Sequence, residues 1–155
     1  MKSIKIFSEK GIRVDKKKID LLVQKLMEEL HFTIDSLEFN FVGTKTITEI
    51  NNKYLNHSGS TDIITFNYSD EKFRFDGEIF ISVPDAYENA KKYKVTIDNE
   101  IERLIIHGVL HLLGYDDLTP AKKRTMKKYE NKFVKQFEKI SKGLLLSWLQ
   151  KLLKF

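Results

Sequence analysis

Two histidines four residues apart, His107 and His111, are followed at short intervals by Gly114 and Asp117 in the segment HGVLHLLGYDD, residues 107–117. The segment has strong helical periodicity. At a spacing of four, both imidazoles point to the same side of a helix, one turn apart, and can bind one ion. Gly114 has no Cβ, so it can enter the left-handed conformation that ends a helix and turns the chain back. That reversal can bring the Asp117 carboxylate beside the two rings. The pattern is H-x3-H-x2-G-x2-D. Three protein ligands on a tetrahedral ion leave one position open, as catalysis requires. For the histidine pair alone, a satisfied core pair is an equal account; the glycine and the carboxylate tip the balance toward a metal. The chain has no cysteine, so nitrogen and oxygen must supply the ligands. Zinc endopeptidases share this histidine spacing but need a glutamate directly after the first histidine as general base. Here that residue is Gly108.

The elements that must position these residues follow from periodicity and punctuation. Residues 97–113 read as the helix that carries both histidines, stopped by Gly114. Thr119 and Pro120 open another helix to about residue 140. Earlier in the chain, residues 3–7 read as a short strand. Asp15 caps a helix over 16–30 whose inner face is Ile19, Leu22, Val23, Leu26 and Leu30. A second strand follows at 37–42, then a short helix at 46–55. Residues 61–68 and 77–83 are two more strands joined by a polar, hairpin-like stretch. Pro84 starts a helix to about residue 93. His31 reads as an ordinary residue at a helix end.

The 155 residues suit one domain with one core. With 41% apolar and 32% charged residues, the chain should fold and dissolve without a membrane. The N-terminus lacks the apolar core of a signal peptide, and no run approaches the roughly 18–20 apolar residues of a membrane span, so a cytoplasmic location is expected. The net charge of +5 is unevenly spread. Residues 122–142 hold nine Lys or Arg against Glu130 and Glu138. A basic helix of this kind suits a polyanion such as RNA, although a solvated face in a lysine-rich protein explains the charge alone more simply. Residues 1–140 read as one domain. Residues 143–155 read as an amphipathic helical tail begun by Gly143, packed on its own domain or against a protein partner.

Taken together, these blocks resemble the YbeY family of endoribonucleases. The family signature H-G-x-L-H-L-x-G-Y-D-H is similar to residues 107–117; the T-D-V-L-S-F strand is similar to Thr61-Asp62-Ile63-Ile64-Thr65-Phe66; and G-D-I is similar to Gly77-Glu78-Ile79. The resemblance implies a single α+β domain with a four-stranded mixed sheet, several helices, and a metal site on a helix and its C-terminal turn. It also implies one Zn²⁺ or another divalent transition metal, held by His107, His111 and Asp117, with His111 also counted among the catalytic residues. The implied activity is metal-dependent cleavage of single-stranded RNA in 3′-end maturation of small-subunit ribosomal RNA and ribosome quality control, with RNA and the ribosome as partners. Two positions depart from the family. Its third histidine is Asp117, whose charge makes the metal a weaker Lewis acid. Its phosphate-binding arginine is Leu55, leaving Lys53 and His57 as the nearby groups that could substitute, though an exposed loop histidine is the simpler account of His57. A ribosome-associated binding module with a structural metal, or a metallohydrolase on another substrate, are the competing functions.

Overall fold

Strands β1 (Ile4–Ser8), β3 (Thr33–Val42), β5 (Arg74–Ser82) and β4 (Ile63–Asn67) form one sheet in the order β1-β3-β5-β4. The structure is a computed structural model that describes residues 3–148. β1, β3 and β5 run parallel, and β4 closes one edge antiparallel to β5. The expected mixed four-stranded sheet is therefore present.

Alternation along the strands assigns the two faces. Leu37, Phe39 and Phe41 of β3 and Phe75, Ile79 and Ile81 of β5 are buried toward the main core. Helices α1 (Lys16–Leu30), α4 (Ile97–Leu112) and α5 (Pro120–Ser141) contribute to that core through Leu22, Leu26, Ile105, Val109, Phe133 and Phe137. The opposite face carries a smaller cluster of Val42, Ile47 and Ile64, which α2 (Thr44–Leu55) covers in part. Helix α3 (Val83–Tyr93) begins directly after β5, with Ser82 as its cap and Pro84 in its first turn.

Two glycines set how closely neighbouring elements approach, one between strands and one between helix and sheet. A Cβ on Gly77 of β5 would lie 2.5 Å from the Phe66 carbonyl oxygen in β4. A Cβ on Gly108 of α4 would lie 2.9 Å from Ile79 Cδ1 and 3.3 Å from Ile63 Cδ1. Gly108 is thus where the histidine helix lies down on the sheet. The same position that lacks a protease's glutamate faces β4 and β5.

The C-terminal segment departs from expectation. Residues 145–148 are not helical: β6 (Leu145–Trp148) pairs antiparallel with β2 (Ile12–Val14) in a second, two-stranded sheet. The helix expected over 143–155 fails there because a partner strand, distant in sequence, offers an edge. Gly143 turns the chain at φ +80°, and Leu144 is fully buried. The Asp98 carboxylate at the start of α4 accepts from the backbone N–H groups of Gly143 (2.8 Å) and Leu145 (3.0 Å). The rest of the expected tail, residues 149–155, lies outside the described residues. Among the described residues no helix is long and apolar enough to cross a membrane.

Candidate functional site

Helix α4 carries a polar stripe on its otherwise buried surface: Glu100, Arg103, His107 and His111, at successive intervals of three, four and four. Thr96 caps the helix by accepting from the Asn99 N–H. At the other end, the Tyr115 N–H reaches the Leu110 carbonyl (3.1 Å) and the Gly114 N–H the His111 carbonyl (2.9 Å). With Gly114 at φ +98°, this is a Schellman closure, and it reverses the chain at the point the spacing required.

The His107 and His111 rings stand edge to face, 5.6 Å apart between centroids. His107 is mostly enclosed, and its Nδ1 lies 2.7 Å from Glu130 Oε2 of α5. Its Nε2 is then the nitrogen left for a ligand. Arg103 braces the same carboxylate from the other side (3.4 Å to Oε1) and donates to Asn131 Oδ1 (2.9 Å). Burial disfavours the charged His107 ring, but the Glu130 hydrogen bond and charge, helped by Asp117 and Asp62, outweigh it and raise its pKa. His111 is at the exposed end of the helix. Its pKa is lowered, by desolvation and then by the charge on His107, against the pull of Asp117 and Asp116.

The two adjacent aspartates separate cleanly. Asp116 is spent on the turn: its carboxylate accepts from the Leu118 N–H (3.0 Å) and Lys122 Nζ (3.4 Å), and the backbone bond holds its pKa down. Asp117 lines the same cavity as His107, and both histidines feel its charge. Among the described residues no three His, Asp or Glu side chains converge into a ready-made cage. The imidazole pair is preformed and Asp117 stands near it without closing on it. The donor chemistry suits a divalent transition metal: two imidazoles, one locked by a carboxylate behind it, and a carboxylate oxygen within electrostatic reach.

The cavity has a volume of about 460 Å³ and lies between α3, α4, α5 and the start of β4. Its floor is polar. The Asn89 amide nitrogen donates to Asp62 Oδ2 (3.0 Å) and Glu100 Oε2 (3.4 Å). Burial raises the pKa of both carboxyls, that of Glu100 to about 7. Lys53 and His57 belong elsewhere. Lys53 is at the end of α2, which packs on the far side of the sheet, and its Nζ lies over the Tyr54 ring. His57 follows in an exposed loop, its N–H bonded to the Asn51 carbonyl. Among the described residues no hydrogen bond, ion pair or ring contact joins either one to His107 or His111.

Sequence reasoning passed over Glu130, Arg103, Asn89 and Glu100. Arg103 and Glu100 were legible as the N-terminal continuation of the histidine stripe. Glu130 was visible as one of two acids in a helix of cations, but nothing local pairs it with a histidine 23 residues earlier.

The fold and the site together define an α+β domain with a helix-borne histidine pair, of which His107 lines a partly polar cavity, and comparison with known proteins gives its class. The sequence profile of the family described as Endoribonuclease YbeY matches residues 4–138. An endoribonuclease YbeY of Chlorobium phaeobacteroides is 40% identical over 116 residues, 75% of this chain and 81% of its own. One of Chlorobium limicola is 32% identical over 134 residues, 86% of this chain and 92% of its own. The solution structure of TM1509 from Thermotoga maritima superposes with a TM-score of 0.63 at 28% identity, covering 86% of this chain and 88% of that one. The chain belongs to the YbeY endoribonuclease family.

Proposed function

We propose that this protein is a metal-dependent endoribonuclease acting on single-stranded RNA, with the 3′ end of small-subunit ribosomal RNA as its substrate and ribosome maturation and quality control as its role. The observation that carries the reading is the His107–Glu130 pair. A carboxylate that fixes one imidazole nitrogen and frees the other is the usual support of a metal-ligating histidine. His107, His111 and Asp117 would hold one divalent ion, Zn²⁺ by donor type, and that ion would supply Lewis acidity toward a phosphate oxygen or an activated water. Around it the chain's own groups divide the work. Glu130 and Arg103 hold His107 in place. Lys123 and Lys127 of α5, at the cavity wall, attract the RNA backbone with a salt-dependent pull. A cytoplasmic enzyme that meets the ribosome fits this reading, and the basic α5 is the surface that favours it.

Leu55, where the family carries arginine, favours a second reading: a ribosome-associated module with a structural metal and little catalysis. One comparison separates the two. Wild type, His111→Ala, Asp117→Ala and Asp116→Ala are assayed on single-stranded RNA, with metal content measured on the same samples. The nuclease reading expects cleavage that disappears with the metal in His111→Ala. It also expects Asp117→Ala to lose more metal than Asp116→Ala. Metal bound without metal-dependent cleavage establishes the binding module instead, and equal metal content in the two aspartate variants removes Asp117 from the ligand set.

A further inference from the structure

The cavity beside His107 has more structure than a metal or a phosphate needs. Its volume of about 460 Å³ falls in the range of small-molecule sites, roughly 300–1,000 Å³. Leu104 and Met126, both buried, and Ile63 of β4 give it apolar walls. Tyr93, 58% exposed at the end of α3, stands at its margin with Lys92 Nζ 5.4 Å from the ring centroid. Lys123 and Lys127, one turn apart on α5, supply cations on another side. The floor is built differently from the rim. Asn89 spends its amide nitrogen on Asp62 and Glu100, so the floor presents as acceptors its carbonyl oxygen and the Asp62 carboxyl, joined by Glu100 where the pH exceeds that residue's raised value of about 7. Glu100 is only 4% exposed, and a carboxyl buried in a cleft with one long hydrogen bond from Asn89 marks a candidate binding group.

We infer that this cavity is a subsite for one unstacked nucleobase of the RNA substrate, selective for guanine. Single-stranded RNA is read by splaying a base out, stacking it on an aromatic ring and bonding its Watson–Crick edge. Tyr93 offers the ring, the apolar walls take the base faces, and Lys123 and Lys127 take the flanking phosphates. A floor rich in acceptors calls for an edge rich in donors. Guanine presents two adjacent donors, N1–H and the N2 amino group. Uracil presents one donor between two carbonyls, which this floor repels; adenine and cytosine each set an acceptor beside their amino group. An acceptor-rich floor also turns phosphate away, which leaves the phosphates to the lysines. Because His107 lines the same cavity, a base held there sets which phosphodiester meets the histidine pair. The inference rests on the RNA reading of the site and deepens it.

The test measures binding and cleavage separately on the full chain. Labelled oligouridylates carrying a single G, A or C are titrated by fluorescence anisotropy in EDTA, and cleavage positions on the same oligomers are mapped with metal added. A single G is expected to tighten binding about tenfold over uridine alone, and cleavage to fall at a constant distance from it. Asn89→Leu should abolish the preference. Glu100→Gln, which adds a donor to the floor and removes a buried acid, should narrow it while keeping the fold. Tyr93→Ala should weaken binding of every oligomer about 5- to 100-fold, the usual cost of losing a stacking partner. Equal affinity for all four oligomers, or a guanine preference that survives both Asn89→Leu and Glu100→Gln, overturns the subsite. Preference that appears only with a divalent ion makes the floor a cation site and overturns it too. Guanine preference without cleavage would sink the nuclease reading and leave the subsite standing; cleavage without base preference does the reverse.

Discussion

At the scale of the residue, the carboxylates behind the histidine helix carry the sharpest expectations. Glu130 touches the proposed ligand His107 at Nδ1 and is not itself a proposed ligand, so it is a positioning residue. Glu130→Gln should lower Zn²⁺ affinity about 10- to 100-fold, the usual cost of losing such a partner, with little change in melting temperature. Competition against a chromogenic chelator measures it, and unchanged affinity would remove Glu130 from the metal's support. Glu102 poses a different problem. It is fully buried on α4, neither carboxylate oxygen has a well-formed hydrogen bond because the nearby Ser141 hydroxyl donates to the Phe137 carbonyl, and burial outweighs the Ser141 contribution and pushes its pKa from 4.5 up to about 7. A carboxyl whose folded pKa lies above its unfolded value keeps an extra proton in the folded state between the two. Stability therefore falls as pH rises from about 4.5 to about 7, by on the order of 3 kcal/mol, and the loss is complete above that window. Glu102→Gln should be more stable than wild type at pH 8 and no more stable at pH 5. Urea midpoints at the two pH values decide it; a gain confined to pH 5 would reverse the sign of the argument.

At the scale of the element, α4 was the most legible part of the chain. Its period and its glycine stop both appear in order in the sequence, and the structure reproduces its bounds within a residue and adds the Thr96 cap. The reason is that helix ends are decided by local groups: Thr96 at one end and Gly114 at the other. Strand bounds were less legible. β3 begins at Thr33, four residues before the alternation was read, because Thr33 and Ile34 gain partners only when β5 lies alongside. The close approach of β4 to β5 and of α4 to the sheet depends on glycines whose need is invisible locally. Gly77→Ala places a methyl group against backbone and should destabilise by about 1–3 kcal/mol. Gly108→Ala meets the end of the Ile79 side chain, which can shift, and should cost less. Denaturant unfolding of both variants tests the order; an equal or inverted ranking would mean that β4 moves more easily than the Ile79 side chain.

At the scale of the whole molecule, the C-terminal segment changes from an appendage to a strap. Leu144 is in the core, β6 pairs with β2, and Trp148 packs against Tyr87 of α3 at 5.1 Å between ring centroids. A chain ending at Lys142 loses the Leu144 side chain, worth about 1.5–3 kcal/mol by itself, together with a two-stranded sheet and the groups that Asp98 caps. That truncation should lower the melting temperature by several degrees or more. An unchanged melting temperature would show that β6 is dispensable. The segment is apolar enough for a helix when read alone, because hydrophobicity does not say which partner buries it. Ile12–Val14, more than 130 residues away, supplies the edge that makes it a strand.

The same division holds for the proposed metal site, the feature on which the sequence is most explicit. By itself the sequence determined that His107 and His111 share a helix face, that the chain turns at Gly114, and that ligands must be nitrogen and oxygen. Those conclusions rest on short-range geometry, on the helical period, and on composition. Only the tertiary structure decided that Glu130 holds His107, that Asp116 serves the turn while Asp117 faces the cavity, and that Asp62, Asn89 and Glu100 form its floor. These groups come from β4, α3, α4 and α5, and side chains on separate elements are brought together by packing of the layers, which no local pattern encodes.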